Sequence, residues 1–371
     1  MLRGAAGWRT GSVGGVIRWR RGVVSAVRAQ WPGAVELTVD CDGDALPALA
    51  YPALVGTPVV GDVVLLNVNA VLHGLGTGGL AMVVALPERL PPDAVPDGHL
   101  VKARYTPLQV MVAGADEPGG EHHHLLADAD DLGGMPVVVA DLHSALPAIS
   151  AAIEADRPGT RVVHVSTDGG ALPVWFSRAV ANLREAGRLV ATVSTGQCFG
   201  GDLEAVTVHS GLLAARVVAG AQIAVVTQGP GNLGTDSRWG FSGVAAGEAV
   251  NAAAVLGGRP VGALRVSAAD PRERHRGVSH HSLTAYGRVA LAAADIAVPT
   301  LPGEFGRSVR AQCAVLSDRH RLVDVELTGL DAALRASPVA MSSMGRGLDE
   351  DPGYFLAAAA AGRHAAALLP G

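Results

Sequence analysis

The chain has 371 residues, 49% of them hydrophobic and 17% charged, which is enough apolar material for a large core and enough length for two domains. Its net charge of −5 provides no general attraction to nucleic acid or to a membrane, and we expect neither as a partner. Lys102 is the single lysine among 29 basic side chains, which almost excludes the lysine chemistry of P-loops and Schiff bases. The 3 cysteines are widely spaced and form no disulfide or metal motif, which indicates a cytoplasmic protein.

The N-terminal third is predicted to form a small all-β domain. Residues 1–15 are glycine-rich and are predicted to be a disordered leader, without the apolar stretch of a signal peptide. Residues 16–98 contain short alternating runs separated by glycine turns, which predict a barrel or sandwich. The predicted strands are 23–27, 34–39, 45–49, 63–68 and 81–86.

After a connector over 99–134, residues 135–371 alternate between strands and helices, which predicts an α/β domain with a parallel, doubly wound, three-layer sheet. The strands are continuous apolar runs, as expected where both faces are covered. They are predicted at 137–140, 161–165, 189–193, 223–227, 261–266 and 296–298. The helices are predicted at 145–154, 174–186, 203–219, 244–256, 282–293, 304–316 and 352–369.

Loops that lead from strand to helix are long and carry most of the reactive side chains, whereas the return loops are short. In open parallel sheets, ligands bind at the carboxyl ends of strands, beside helix N-termini that attract anions. We therefore expect a site at this edge, in the segments 196–204, 228–243 and 267–281.

A glycine-rich run follows the predicted strand at 223–227. Gly229, Gly231 and Gly234 match G-x-G-x-x-G, and with Asn232 they would let backbone N–H groups approach an anion. About ten residues separate the run from the next helix, and its proline removes one N–H group, which argues against NAD. An anion cradle and a structural turn remain equally open. Arg238 in the same loop could hold a ligand through two parallel hydrogen bonds.

Candidate catalytic carboxylates occur at the predicted start of helix 203–219. Asp202 is expected either to cap this helix or to act with Glu204 in acid–base catalysis, and Glu204 could also bind a metal. Cys198 lies in a G-x-C-x-G turn similar to a nucleophile elbow, although a buried structural cysteine is the more common reading.

Two histidines, His280 and His281, precede the predicted helix at 282–293. A helix N-terminus favours neutral imidazole, which suits base catalysis or metal binding. His280 together with His143 and Asp168 could hold a divalent metal, while hydrogen bonding within a polar loop remains the alternative. Asp168 is also a candidate ligand-binding residue, as is Arg346, which lies in a flexible polar loop.

Several runs resemble a bacterial family of unknown function, DUF3866. They are 31–37 (WPGAVEL), 98–109 (GHLVKARYTPLQ), 228–235 (QGPGNLGT), 279–282 (SHHS) and 344–349 (MGRGLD). The resemblance extends from about residue 16 to the C-terminus and implies family membership without an activity. It implies a role for Lys102, which we include among the ligand-binding candidates. It also counts against Cys198 as a nucleophile, because alanine is common at that position in the family.

These patterns favour an enzyme that acts on a small anionic, phosphorylated metabolite at the carboxyl ends of the strands. The alternative is a metabolite-sensing or scaffold protein without catalysis. The sequence leaves the cofactor open, with a divalent metal allowed, and it also leaves open a homo-oligomer.

Overall fold

A computed structural model describes residues 16–74, 77–95 and 98–371, which form two compact units that divide between Ala94 and Val95. The leader predicted over 1–15 lies outside the described residues. None of the helices in the described part of the chain is long and apolar enough to cross a membrane.

The first unit is a closed five-stranded barrel, as predicted. Its strands are β1 (Trp19–Trp31), β2 (Ala34–Cys41), β3 (Asp44–Ala50), β4 (Val63–Asn67) and β5 (Ala81–Ala85), in the order β1-β2-β3-β5-β4. β4 pairs back onto β1, which closes the barrel. Two single-turn helices, α1 (Pro52–Val55) and α2 (Asn69–Leu72), lie between strands. Alternate residues such as Leu37, Val39, Val64 and Leu66 are fully buried and fill the interior.

The second unit begins with a short hairpin and a single-turn helix in the segment predicted as a connector. These are β6 (Leu100–Lys102), β7 (Val110–Val112) and α3 (His123–Leu126). The backbone N–H of Ala115 donates to the carbonyl oxygen of Glu204 at 2.8 Å, so this segment lies against the edge of the main sheet.

The main sheet has eight parallel strands. In chain order the strands of this unit are β8 (Pro136–Val139), β9 (Val162–Thr167), β10 (Ala191–Ser194), β11 (Leu203–Glu204), β12 (Ile223–Gln228), β13 (Arg259–Ala263), β14 (Val266–Ser267), β15 (Gly277–Val278), β16 (Asp295–Pro299), β17 (Arg321–Val325), β18 (Ser342–Ser343) and β19 (Arg346–Gly347). The sheet order is β11-β10-β9-β12-β8-β13-β16-β17, and β14-β15 and β18-β19 are separate two-stranded pairs.

Helices cover both faces of this sheet. They are α4 (Leu146–Asp156), α5 (Arg178–Glu185), α6 (Val208–Leu213), α7 (Ala245–Val255), α8 (His280–Thr284), α9 (Gly303–Gln312), α10 (Leu330–Arg335) and α11 (Pro352–Ala367). Val137 and Val139 pack with α6, α7 and α9 on one face, whereas Val138 packs with α4, α5 and α11 on the other. Successive side chains of a strand point to opposite faces, so the continuous apolar runs follow from this three-layer architecture. The predicted fold class is confirmed.

The helix predicted over 203–219 is wrong in its first part. Leu203–Glu204 forms the edge strand β11, and the helix begins only at Val208, where Thr207 is the N-cap. Asp202 therefore caps no helix. Its carboxylate instead accepts hydrogen bonds from the backbone N–H and the hydroxyl of Thr192, at 2.7 and 3.0 Å.

Strand β17 and helix α10 were not predicted. β17 lies at the edge of the sheet, where most of its residues are exposed or half-buried, so it lacks the apolar run that identified the central strands. α10 has only six residues, too few to show helical periodicity.

Candidate functional site

A cleft of about 700 Å³ opens at the carboxyl ends of β8, β12 and β13. After β8 the chain enters α4 on one face of the sheet, whereas after its neighbours β12 and β13 it enters α7 and α8 on the other. The loops therefore part around the end of β8, which is where ligands bind in open parallel sheets. Of the three predicted segments, 228–243 and 267–281 contribute to its lining, but no residue of 196–204 does.

Four arginines line the cleft: Arg178, Arg265, Arg272 and Arg274. Arg272 donates two hydrogen bonds to the buried carboxylate of Asp270, each 2.9 Å long. Burial opposes ionisation of Asp270, but the side-chain and backbone hydrogen bonds from Arg272 outweigh it and hold its pKa well below the usual range. Arg265 is 4% exposed and lies 3.6 Å from the same carboxylate. This cationic wall is consistent with an anionic ligand.

Three histidines lie together in this cleft. His275 precedes β15, and His280 and His281 form the first turn of α8. Their ring centroids are 4.4–5.0 Å apart, and Phe241 stacks on His281 with a centroid distance of 3.7 Å. Nδ1 of His281 lies 3.5 Å from a carboxylate oxygen of the buried Asp141 and 3.2 Å from Arg265.

Two of these imidazoles are held in the neutral form. Burial lowers the pKa of His275 to about 3, helped by the charge of Arg265. Burial also lowers the pKa of His280 to about 4, with further contributions from His281 and Arg274. At neutral pH each ring therefore keeps an unprotonated nitrogen that can accept a proton or bind a metal ion.

The glycine loop, residues 229–234, forms another wall of the cleft. Its glycines meet different local constraints. A Cβ atom at Gly229 would come within 2.2 Å of the carbonyl oxygen of Ala171, so this position requires the close backbone approach that only glycine allows. Gly231 has φ 90° and open space around it, and like Gly234 it lines the cleft. Oδ1 of Asn232 accepts hydrogen bonds from Gln228, Ser242 and Gly243, so this side chain holds the loop together.

Glu204 and Lys102 lie together, away from the residues that line the cleft. Nζ of Lys102 lies 3.4 Å from Oε2 of Glu204 and donates to the carbonyl oxygens of Cys198 and Ala205, both at 2.9 Å. The N–H of Gly200 donates to the other carboxylate oxygen at 2.6 Å. Burial raises the pKa of Glu204 against the opposing charge of Lys102. This arrangement ties β6 to the chain around β11.

The other candidates from the sequence occupy separate positions. Asp168 is exposed and accepts the N–H of Gln197 at 2.8 Å. Arg238 is exposed and does not line the cleft. Arg346 is bound to Asp351 and Asp270, at 3.2 and 3.4 Å.

His143 lines the cleft, but both of its ring nitrogens have protein partners, Ser177 at 2.6 Å and the carbonyl oxygen of Gln228 at 3.3 Å. Burial lowers its pKa to about 4. His143, Asp168 and His280 are therefore not brought together as a set of metal ligands.

The predicted segment 267–281 contains Arg272, Arg274 and His275 without singling them out, whereas Arg178 and Arg265 line the cleft from outside the predicted segments. Arg265 lies two residues after the buried strand β13, so an arginine within an apolar run was an available signal. Arg178 belongs to α5, and nothing in its local sequence relates it to residues of the 265–281 segment.

The family model for "Protein of unknown function (DUF3866)" matches residues 47–362. No curated protein and no solved structure matches the chain. The match covers part of the barrel and most of the parallel-sheet unit, including every loop of the cleft. The chain therefore belongs to the family of proteins of unknown function DUF3866.

Proposed function

We propose that the protein is an enzyme that acts on a small anionic, phosphorylated metabolite in the cleft at the ends of β8, β12 and β13. The observation that supports this most directly is the convergence of four arginines and four histidines, three of them clustered, around a concave volume of about 700 Å³. This volume is within the usual range of about 300–1,000 Å³ for small-molecule sites.

The arginines would bind the anionic group of the ligand. Arg274 is the best placed, because its Nε is buried and has no hydrogen-bond partner, while its other end pairs with the exposed Asp236. An unpaired buried N–H group is costly, and a phosphate or carboxylate oxygen would satisfy it. The backbone of Gly231 and Gly234 lies on another wall of the cleft, so a ligand would contact both the arginines and this backbone.

The histidines would move protons. Asp141 lies behind His281 at 3.5 Å and would orient its ring. Nε2 of His280 is buried and has no partner, so it is available to a ligand. Glu204 and Asp202, which the sequence suggested as acid and base, are committed to contacts outside the cleft.

A thermal-shift screen of phosphorylated metabolites and nucleotides tests the binding step, because a ligand that binds the native state raises the melting temperature. We expect a shift for wild type that is lost in Arg274→Gln and kept in Arg310→Gln, whose arginine forms a surface pair with Asp324. Absence of any shift across the panel, or an equal shift in Arg274→Gln, would contradict the proposed cleft.

Turnover of the compound identified in this way separates an enzyme from a sensor. Product formation followed by NMR should occur with wild type and be strongly reduced in His281→Asn at saturating ligand. Tight binding without any product would contradict the enzymatic proposal and support metabolite sensing in the same cleft.

A further inference from the structure

The three histidines of the cleft have the arrangement of a metal site. One ring nitrogen from each of His275, His280 and His281 lies within 4.8 Å of the other two. Among the residues that the structure describes, this is the only group of three or more His, Cys, Asp or Glu side chains that are placed in this way. All three rings line the cleft, so an ion held among them would face the ligand space.

An independent observation is the set of buried polar atoms that lack a hydrogen bond. Nε2 of His280 is one, and Oδ2 of Asp141, which lies beside His281, is another. Buried polar groups are almost always paired, and each exception in a folded protein requires an explanation. A metal ion bound by His280 would satisfy its nitrogen directly.

The remaining contacts orient the rings as outer ligands do in metal sites. Nδ1 of His275 lies 2.7 Å from the hydroxyl of Ser279, which leaves Nε2 to bind an ion. Nδ1 of His281 lies 3.2 Å from Arg265, which can only donate, and 3.5 Å from Asp141, so its Nε2 becomes free to bind an ion when the ring proton moves to Nδ1 and is donated to Asp141. Histidine ligands are commonly fixed by a carboxylate or hydrogen-bonding group on the second nitrogen.

We propose that His275, His280 and His281 bind one divalent transition-metal ion, with Zn²⁺ the best match to three imidazole ligands. In a tetrahedral site with Zn–N distances of about 2.0–2.1 Å the nitrogens lie roughly 3.3 Å apart, so the rings close inward when the ion binds. Three protein ligands leave the fourth position open, as in catalytic zinc sites. The ligand set differs from that predicted from the sequence, because His143 has protein partners on both nitrogens and Asp168 is outside the cleft.

The charge around the cluster fits an ion whose open position takes an anion. Arg265 and Arg274 lie on the same cleft and disfavour a bare cation, while Asp141 partly compensates. An anionic ligand bridging the ion and an arginine would neutralise both. The metal site does not depend on the proposed substrate, but it replaces the proton transfer proposed above for His280 and His281, because a ring nitrogen bound to a metal ion cannot accept a proton.

Titration of the chelator-treated full chain with Co²⁺ and Zn²⁺ tests the site with the metal alone. We expect one ion per chain and the intense visible absorption of four-coordinate Co²⁺. His280→Ala should weaken binding by at least about 100-fold, beyond the 10–100-fold expected for the outer partner in Asp141→Asn. His280 is the preferred variant because its Nε2 makes no hydrogen bond, so truncation disturbs the fold least.

His124→Ala is the control, because His124 is exposed in the separate 122–124 run and would report adventitious binding by surface histidines. It should leave the affinity unchanged. Lack of binding by wild type, or tight binding that survives His280→Ala, would overturn the proposal. A chain that binds Zn²⁺ but none of the phosphorylated compounds would contradict only the proposed substrate, so the two failures are distinguishable.

Discussion

Two polar regions of the second unit contain buried charges, and they differ in how completely those charges are paired. Around β11, Lys102 has Glu204 and two carbonyl oxygens as partners, and the region is closed on itself. Each region has one buried carboxylate oxygen without a hydrogen bond, Oε2 of Glu204 and Oδ2 of Asp141, but in the cleft Nε of Arg274 and Nε2 of His280 also lack a partner, and both residues line an open volume. A buried charge alone therefore does not mark a functional site, whereas convergent unpaired groups beside an open volume do.

The largest expected effect is a loss of stability in the region of Lys102 and Glu204. Lys102→Met should lower the free energy of unfolding by about 3–5 kcal/mol, because it leaves Glu204 buried without its counter-charge. Denaturant unfolding measures this, with the exposed Glu185→Gln as a control that should change stability little. The double variant Lys102→Met with Glu204→Gln should recover part of the loss. If Lys102→Met folded but lost ligand binding at the cleft, the structural role assigned to Lys102 would be wrong.

The next largest expected effect is weaker ligand binding in the cleft. Arg274→Gln should weaken binding of the phosphorylated ligand by about 10–100-fold, as expected for loss of a charged hydrogen bond, with little effect on stability. Its partner Asp236 is exposed, so the remaining carboxylate is solvated. Calorimetric titration and a melting curve measure the two quantities. A large loss of stability with unchanged affinity would assign Arg274 to the framework.

Within the glycine loop, alanine substitutions at Gly229 and Gly231 should differ in how much stability they cost. Gly229→Ala should destabilise by about 1–3 kcal/mol, because its Cβ would meet the carbonyl oxygen of Ala171. Gly231→Ala has open space and should cost only about 1–2 kcal/mol from its positive φ. Denaturant midpoints compare them. If Gly231→Ala were the more damaging change, the packing account of the loop would be wrong.

The smallest expected effect is the absence of thiol reactivity. All three cysteines are buried, and burial raises the pKa of Cys198 and of Cys313 to about 12 and also raises that of Cys41. Little thiolate is present at pH 8, so a thiol reagent should react slowly with the native chain and rapidly after unfolding. Fast labelling of Cys198 in the native chain would show that the region around Lys102 opens.

The fold was largely predictable because central parallel strands need apolar side chains on both faces, as in Val137–Val139. The edge strands could not be predicted, because β17 is partly exposed and β11 has only two residues. In the site, Gly229 and His281 could be found from local motifs. The pairing of Lys102 with the region of Cys198 could not, because 96 residues separate them and only the fold brings them together.

Backbone hydrogen exchange with and without the phosphorylated compound that gives the largest thermal shift tests the central claim most directly, since it locates binding without any substitution. We expect slower exchange in 228–243 and 265–281, which surround the cleft, and unchanged exchange in 196–206 beside Lys102. Protection confined to 196–206, with the cleft loops unchanged, would contradict that claim.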